Sequence, residues 1–147
     1  MRDTDTRIYV HLVWSTWDRL PLLTPEVEQT VYKCIAEECK SLKAEMIAVG
    51  GVSDHVHVLV RLPPTLPVAT LVKQLKGASS HLVTRSVPTA DIFKWQGSYG
   101  AFSIRESDVE ACRGYITNQK SRHAQNIGDI DPWALGSQSF SARRGTL

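Results

Sequence analysis

The sequence predicts an α+β fold: a split β-α-β-β-α-β antiparallel sheet with an additional C-terminal helix. Three observations predict it. Residues 8–15 and 55–62 alternate in the period of two expected of half-buried strands. The stretches after Thr24 and after Pro67 repeat apolar residues every three to four positions, the period of a helix packed along one face. Turn-forming clusters such as Ser53-Asp54 and Pro63-Pro64 separate these runs. The 147 residues suit one domain with its own core. We assign it to residues 1–126, and residues 127–147, polar and richer in Gly and Ser, to a C-terminal tail.

Each element has its own signal. Ile8, Val10, Leu12 and Trp14 alternate with Tyr9, His11, Val13 and Ser15 in the first strand. Thr24 is placed to cap the first helix, with Pro25 at its first position, where the missing N–H costs nothing. Val27, Val31, Cys34, Ile35 and Leu42 form its apolar stripe. Met46 to Val52 reads as the second strand, and Gly50-Gly51 implies a bulge or a close backbone approach. Ser53-Asp54 turns the chain into the third strand, His55 to Leu62. The second helix runs from about Pro67 to Thr84, burying Val68, Leu71, Val72, Leu75, Leu82 and Val83. Ser86 to Ser98 reads as a loop and Tyr99 to Arg105 as the fourth strand. Ser107-Asp108-Val109-Glu110 has the pattern of a capping box, which opens a third helix from about Asp108 to Gln125. The order resembles a ferredoxin-like split sheet, with two helices on one face. The third is spare and can cover the other face or a partner.

Composition narrows the class. Hydrophobic residues make up 42% and charged residues 22%, as in soluble globular domains. No stretch is long and apolar enough to span a bilayer, and residues 1–7 lack a secretory pattern, so we expect a cytoplasmic protein with no membrane partner. Three cysteines, Cys34, Cys39 and Cys112, argue against a disulfide framework. The net charge is only +2, but it is unevenly spread. Residues 67–126 carry eight Lys/Arg against four acids, and residues 24–45 carry three against five. A polyanion would favour the second half of the chain.

Two short constellations carry chemistry. In Asp54-His55-Val56-His57-Val58-Leu59-Val60, the three valines face one side of the strand. His55 and His57 face the other side together, where they can bind one divalent metal or simply form a polar sheet face. On the third helix Tyr115 and Gln119 are four apart and project together. A phenol can act as a nucleophile and an amide oxygen can ligate a metal; the bland alternative is ordinary helix surface. Jointly, two imidazoles, an amide oxygen and a phenol are the parts needed to cut a phosphodiester without ATP, and no Gly-x-x-x-x-Gly-Lys phosphate loop is present.

From Tyr9 to Gln125 the sequence also resembles the single-tyrosine transposases of the HUH superfamily, those of IS200-type insertion sequences and their repeat-associated relatives. The resemblance lies in five ordered stretches. They are His11-Leu12-Val13-Trp14-Ser15-Thr16, His55-Val56-His57-Val58-Leu59-Val60, Leu75-Lys76-Gly77-Ala78-Ser79-Ser80, Trp95-Gln96-Gly97-Ser98-Tyr99-Gly100-Ala101-Phe102-Ser103 and Tyr115-Ile116-Thr117-Asn118-Gln119. The resemblance implies that His55 and His57 are paired metal ligands, Gln119 the third ligand and Tyr115 the nucleophile. It implies cleavage and rejoining of single-stranded DNA through a 5′-phosphotyrosine, with Mg²⁺ or Mn²⁺, by a homodimer acting on hairpin-bearing DNA. In such proteins the tyrosine helix can complete the partner's site.

Arg19, Lys73, Lys76, Arg85 and Lys94 are the expected DNA contacts. Trp95 and Tyr99 are candidates either for stacking on bases or for the core. His11 would share the open sheet face and serve the site or the sheet, and Asp54 would orient a histidine or only form a turn. His81 and His123 read as surface residues. The alternative function is a non-catalytic or domesticated nucleic-acid-binding module of the same fold.

Overall fold

The computed structural model describes residues 4–121, apart from 89 and 91. The elements are β1 (Ile8–Ser15), α1 (Pro25–Ser41), β2 (Glu45–Val52), β3 (His55–Leu62), α2 (Val68–Ser86), β4 (Gly100–Ile104) and α3 (Val109–Thr117), with single 3₁₀ turns at Trp17–Arg19 and Glu106–Asp108. The four strands form one antiparallel sheet in the order β2-β3-β1-β4, the α+β split sheet expected. The 127–147 tail, His123 and the expected end of the third helix at Gln125 lie outside the described residues.

Alternation divides the sheet into two faces. Val10, Leu12 and Trp14 of β1 and Val56, Val58 and Val60 of β3 point to one side. There they pack with Val27, Val31 and Ile35 of α1 and Leu71, Val72, Leu75 and Val83 of α2. Side chains of this size each stabilise the fold by about 1.5–3 kcal/mol when fully buried. A smaller cluster occupies the opposite face: Ala48 and Leu59 of the sheet meet Cys112, Tyr115 and Ile116 of α3. The spare helix therefore covers the face that α1 and α2 leave open.

The cap of α1 forms as expected: the Thr24 hydroxyl accepts a hydrogen bond from the Val27 amide at 3.3 Å, and Pro25 opens the helix. Thr24→Ala should cost about 1 kcal/mol, read as a lower urea midpoint with an unchanged m-value.

Of the two readings of Gly50-Gly51, close backbone approach holds, and the register irregularity of β2 lies between Met46 and Ala48. Three local expectations change. The capping box at Ser107 does not form. The chain enters α3 through the Glu106–Asp108 turn, Asp108 stands at the N-cap position without a side-chain cap, and Arg105 pairs with its carboxylate at 3.1 Å. Finally, α3 is interrupted at Asn118, where φ and ψ are −101° and 19°; residues 119–121 are helical again. β4 begins one residue later than Tyr99 and stops before Arg105.

Candidate active site

Strand register brings the site together. Across the sheet His57 pairs with Val13 of β1 and with Gly50 of β2, and Val13 pairs in turn with Gly100 of β4. The next row on the same face is Ala48, Leu59, His11 and Phe102. His11 and His57 are thus diagonal neighbours, close enough for side chains of this length to meet. They do: His11 Nε2 lies 2.8 Å from His57 Nδ1, and the rings stack with centroids 5.0 Å apart. The His55 and His57 rings are also 5.0 Å apart, side by side on the face opposite the valine core.

The sheet glycines explain how α3 reaches this face. A Cβ on Gly50 would stand 2.2 Å from the Ile116 carbonyl oxygen, so α3 sits directly on the bare backbone of β2. A Cβ on Gly51 would meet the His55 carbonyl oxygen at 2.3 Å, which makes the tight return into β3 a second glycine requirement. With its helix seated there, Tyr115 projects edge-on at the imidazoles, its ring centroid 5.7 Å from that of His57 and 6.3 Å from that of His11. Gln119 follows one turn later and donates from Nε2 to the Tyr115 carbonyl at 3.1 Å. Its Oε1 is buried and has no hydrogen-bond partner among the described residues. His11, His55, His57, Tyr115 and Gln119 are all buried, with Tyr115 only 3% exposed.

The neighbours of the two imidazoles fix their chemistry. Asp54 Oδ1 lies 2.7 Å from His55 Nδ1, and Arg19 holds the other carboxylate oxygen at 3.3 Å. Hydrogen bonding to His55, with further help from its charge and that of Arg19, holds the Asp54 carboxyl below the usual carboxylate range, against the opposing effect of burial. A carboxylate accepts, so Nδ1 of His55 carries a proton; in the neutral ring the lone pair is then on Nε2. Burial pushes the pKa of His11 down to about 4, so its ring is neutral near pH 7.

The expected site residues fall into two groups. The structure brings His55, His57 and Tyr115 together, joins His11 to them, sets Asp54 against His55, and buries Gln119 one turn beyond Tyr115 on the same helix. Among the described residues no group of three or more His, Cys, Asp or Glu side chains is arranged to hold a metal. Arg19 is tied to this site through Asp54. Lys73, Lys76 and Arg85 are on α2, in the layer across the sheet. Lys73 and Arg85 are exposed, Arg85 beside His81 at 3.3 Å. Lys76 donates to the carbonyls of Gln96 and Ser98, the latter at 3.2 Å, and burial lowers its pKa. Lys94 is exposed, its ammonium 4.0 Å from the centroid of the Trp17 ring, and shares a shallow cleft with Lys76, Ser80, Gln96 and Gly97. Trp95 belongs to the core, donating to Ser79 Oγ at 2.9 Å, whereas Tyr99 stays partly exposed. A further exposed aromatic, beside Lys94 and Arg19, is Trp17, in an irregular turn whose Asp18 and Arg19 both adopt positive φ. No periodicity signals such a residue in sequence.

Comparison with known proteins gives the family and the fold. A family model described as "Transposase IS200 like" matches residues 4–119. The transposases for insertion sequence element IS200 of Salmonella typhimurium and Salmonella typhi are each 22% identical over 120 residues, covering 81% of this chain and 71% of theirs. Among solved structures, a Deinococcus radiodurans R1 protein assigned to the transposases superposes with a TM-score of 0.65 at 26% identity, covering 81% of this chain and 95% of that one. A REP-associated tyrosine transposase bound to a REP hairpin superposes with a TM-score of 0.62 at 18% identity, over 86% of this chain and 74% of the other, and shares the fold. The chain belongs to the IS200-like transposase family.

Proposed function

We propose that this transposase cuts and rejoins single-stranded DNA through a 5′-phosphotyrosine on Tyr115, with a divalent metal held by His55, His57 and Gln119. The observation that carries the reading is the meeting of a phenol with two adjacent imidazoles, the Tyr115 ring 5.7 Å from that of His57, with the buried amide of Gln119 one helical turn further along.

The donor set fits a metal. Asp54 leaves His55 with its lone pair on Nε2, and Gln119 Oε1 is a buried acceptor without a protein donor among the described residues. Mixed nitrogen and oxygen ligands suit Mn²⁺ well and Mg²⁺ less well. A bound ion would polarise a phosphate oxygen and stabilise the charge that develops there. The protein supplies the rest. Tyr115 Oη attacks phosphorus, the phenolic proton passes to solvent or a base, and the bond to the 3′ oxygen breaks with that oxygen leaving protonated. The phosphotyrosine conserves the bond, so a second 3′ hydroxyl can reverse the step and join strands. Both histidines and Tyr115 are buried, so the scissile phosphate reaches them only after a movement that exposes them.

Hairpin-bearing single-stranded DNA is the proposed partner and a homodimer the proposed assembly. Arg19, Lys94 and the exposed Trp17 form a cationic, aromatic edge beside the Asp54–His55 end of the site, suited to an unpaired strand. The test is to incubate the protein with hairpin-flanked single strands and Mn²⁺ or Mg²⁺. A covalent adduct should form, peptide mapping should place it on Tyr115, and EDTA should abolish it. DNA binding with no adduct under any metal would overturn the reading and leave the non-catalytic module.

A further inference from the structure

We propose that His11 is a positioning residue, which fixes the tautomer and tilt of His57 so that its Nε2 is presented to the metal. The inference rests on the metal-binding reading above and deepens it.

The contact between His11 and His57 is direct. Its Nε2 is 2.8 Å from His57 Nδ1, the rings are stacked with a 29° interplanar angle, and both are fully buried. Of two nitrogens in contact, one must hold the proton and the other the lone pair. With His11 Nε2 accepting, His57 carries its proton on Nδ1 and its lone pair on Nε2. That is the tautomer Asp54 imposes on the neighbouring ring of His55. Two different acceptors, a carboxylate from the turn and an imidazole from β1, thereby give the two histidines of β3 the same protonation pattern. His11 is assigned this outer position because its Nε2 is turned to His57 Nδ1. Phe102, across β4 with its ring 6.5 Å from that of His11, backs the imidazole and limits its rotation. Acceptors in this outer position commonly change metal affinity 10–100-fold when removed, roughly.

Two variants and two readouts test this on the full chain. His11→Phe keeps the ring volume and removes the acceptor; His11→Gln places an amide oxygen near the position of Nε2. Long-range ¹H–¹⁵N NMR of the metal-free protein should show His57 protonated on Nδ1 in the wild type and in His11→Gln. In His11→Phe the signal should shift towards the other tautomer or a mixture. Mn²⁺ titration followed by electron paramagnetic resonance should show affinity falling about 10–100-fold in His11→Phe and recovering to within roughly threefold in His11→Gln. A wild-type His57 protonated on Nε2 would overturn the proposal whatever the variants do, including a variant that fails to fold. So would wild-type Mn²⁺ affinity in a folded His11→Phe. A wild type with the Nδ1–H tautomer that binds no Mn²⁺ would overturn the metal-binding reading itself, and the proposal with it.

Discussion

Tyr115→Phe should abolish the covalent protein–DNA adduct and lower strand cleavage by about four orders of magnitude or more, as loss of a nucleophile does elsewhere. The substitution suits the question because of how Tyr115 is held. Its ring meets His57 edge-on at 5.7 Å and His11 at 6.3 Å, and the aromatic body packs with Ala48, Leu59, Cys112 and Ile116. Phenylalanine keeps every one of these contacts. Removing one buried hydroxyl should change stability by no more than about 1–2 kcal/mol. DNA affinity and Mn²⁺ affinity should stay within about threefold of wild type, because neither the basic edge near Arg19 nor the donor atoms of His55, His57 and Gln119 is altered. Loss of chemistry with retained binding is what a nucleophile predicts and what a structural tyrosine does not. An adduct persisting at wild-type yield in Tyr115→Phe would remove Tyr115 from the reaction.

How legible the site was depended on whether a residue sat on a regular element. Val56, Val58 and Val60 face the core while His55 and His57 face away, because a strand offers no other choice once one face is buried. The start of α1 at Thr24-Pro25 was equally plain, since capping is chemistry between residues three apart. The role of His11 was not, because it depends on register: only pairing with Leu59 and Phe102 brings its ring diagonally to His57. Irregular segments gave the most trouble. Ser107 and Glu110 carry a capping-box pattern, yet the turn Glu106–Asp108 and the Arg105–Asp108 pair occupy that corner instead. Charge was legible as a sum but not as a location, so Lys73, Lys76 and Arg85 fall on the far layer from the histidines, while Arg19 reaches them through Asp54.

Gly50→Ala is expected to damage both stability and cleavage, although the change adds one methyl group to an otherwise unaltered strand. The new Cβ would stand 2.2 Å from the carbonyl oxygen of Ile116, whereas real Cβ contacts essentially never fall under 3.0 Å. That oxygen belongs to helix backbone and cannot swing aside as a side chain would. The helix must therefore move off β2 or the strand must bend, at a cost of about 1–3 kcal/mol. A domain of this size should lose several degrees in melting temperature for it, roughly. The same displacement moves Tyr115, the residue before Ile116, relative to the rings of His57 and His11. A shift of about 1 Å at a reacting group can cost roughly 10²-fold in rate, so cleavage should fall by more than the loss of folded protein accounts for. Gly77→Ala in α2 is the control, since a Cβ there meets nothing within 4 Å and its φ is not positive. It should leave the fold unharmed or stabilise it by about 0.5–1 kcal/mol. Should Gly50→Ala melt and cleave like the wild type, α3 would not be seated on the bare strand, and the link between that seat and the placement of the phenol would fail.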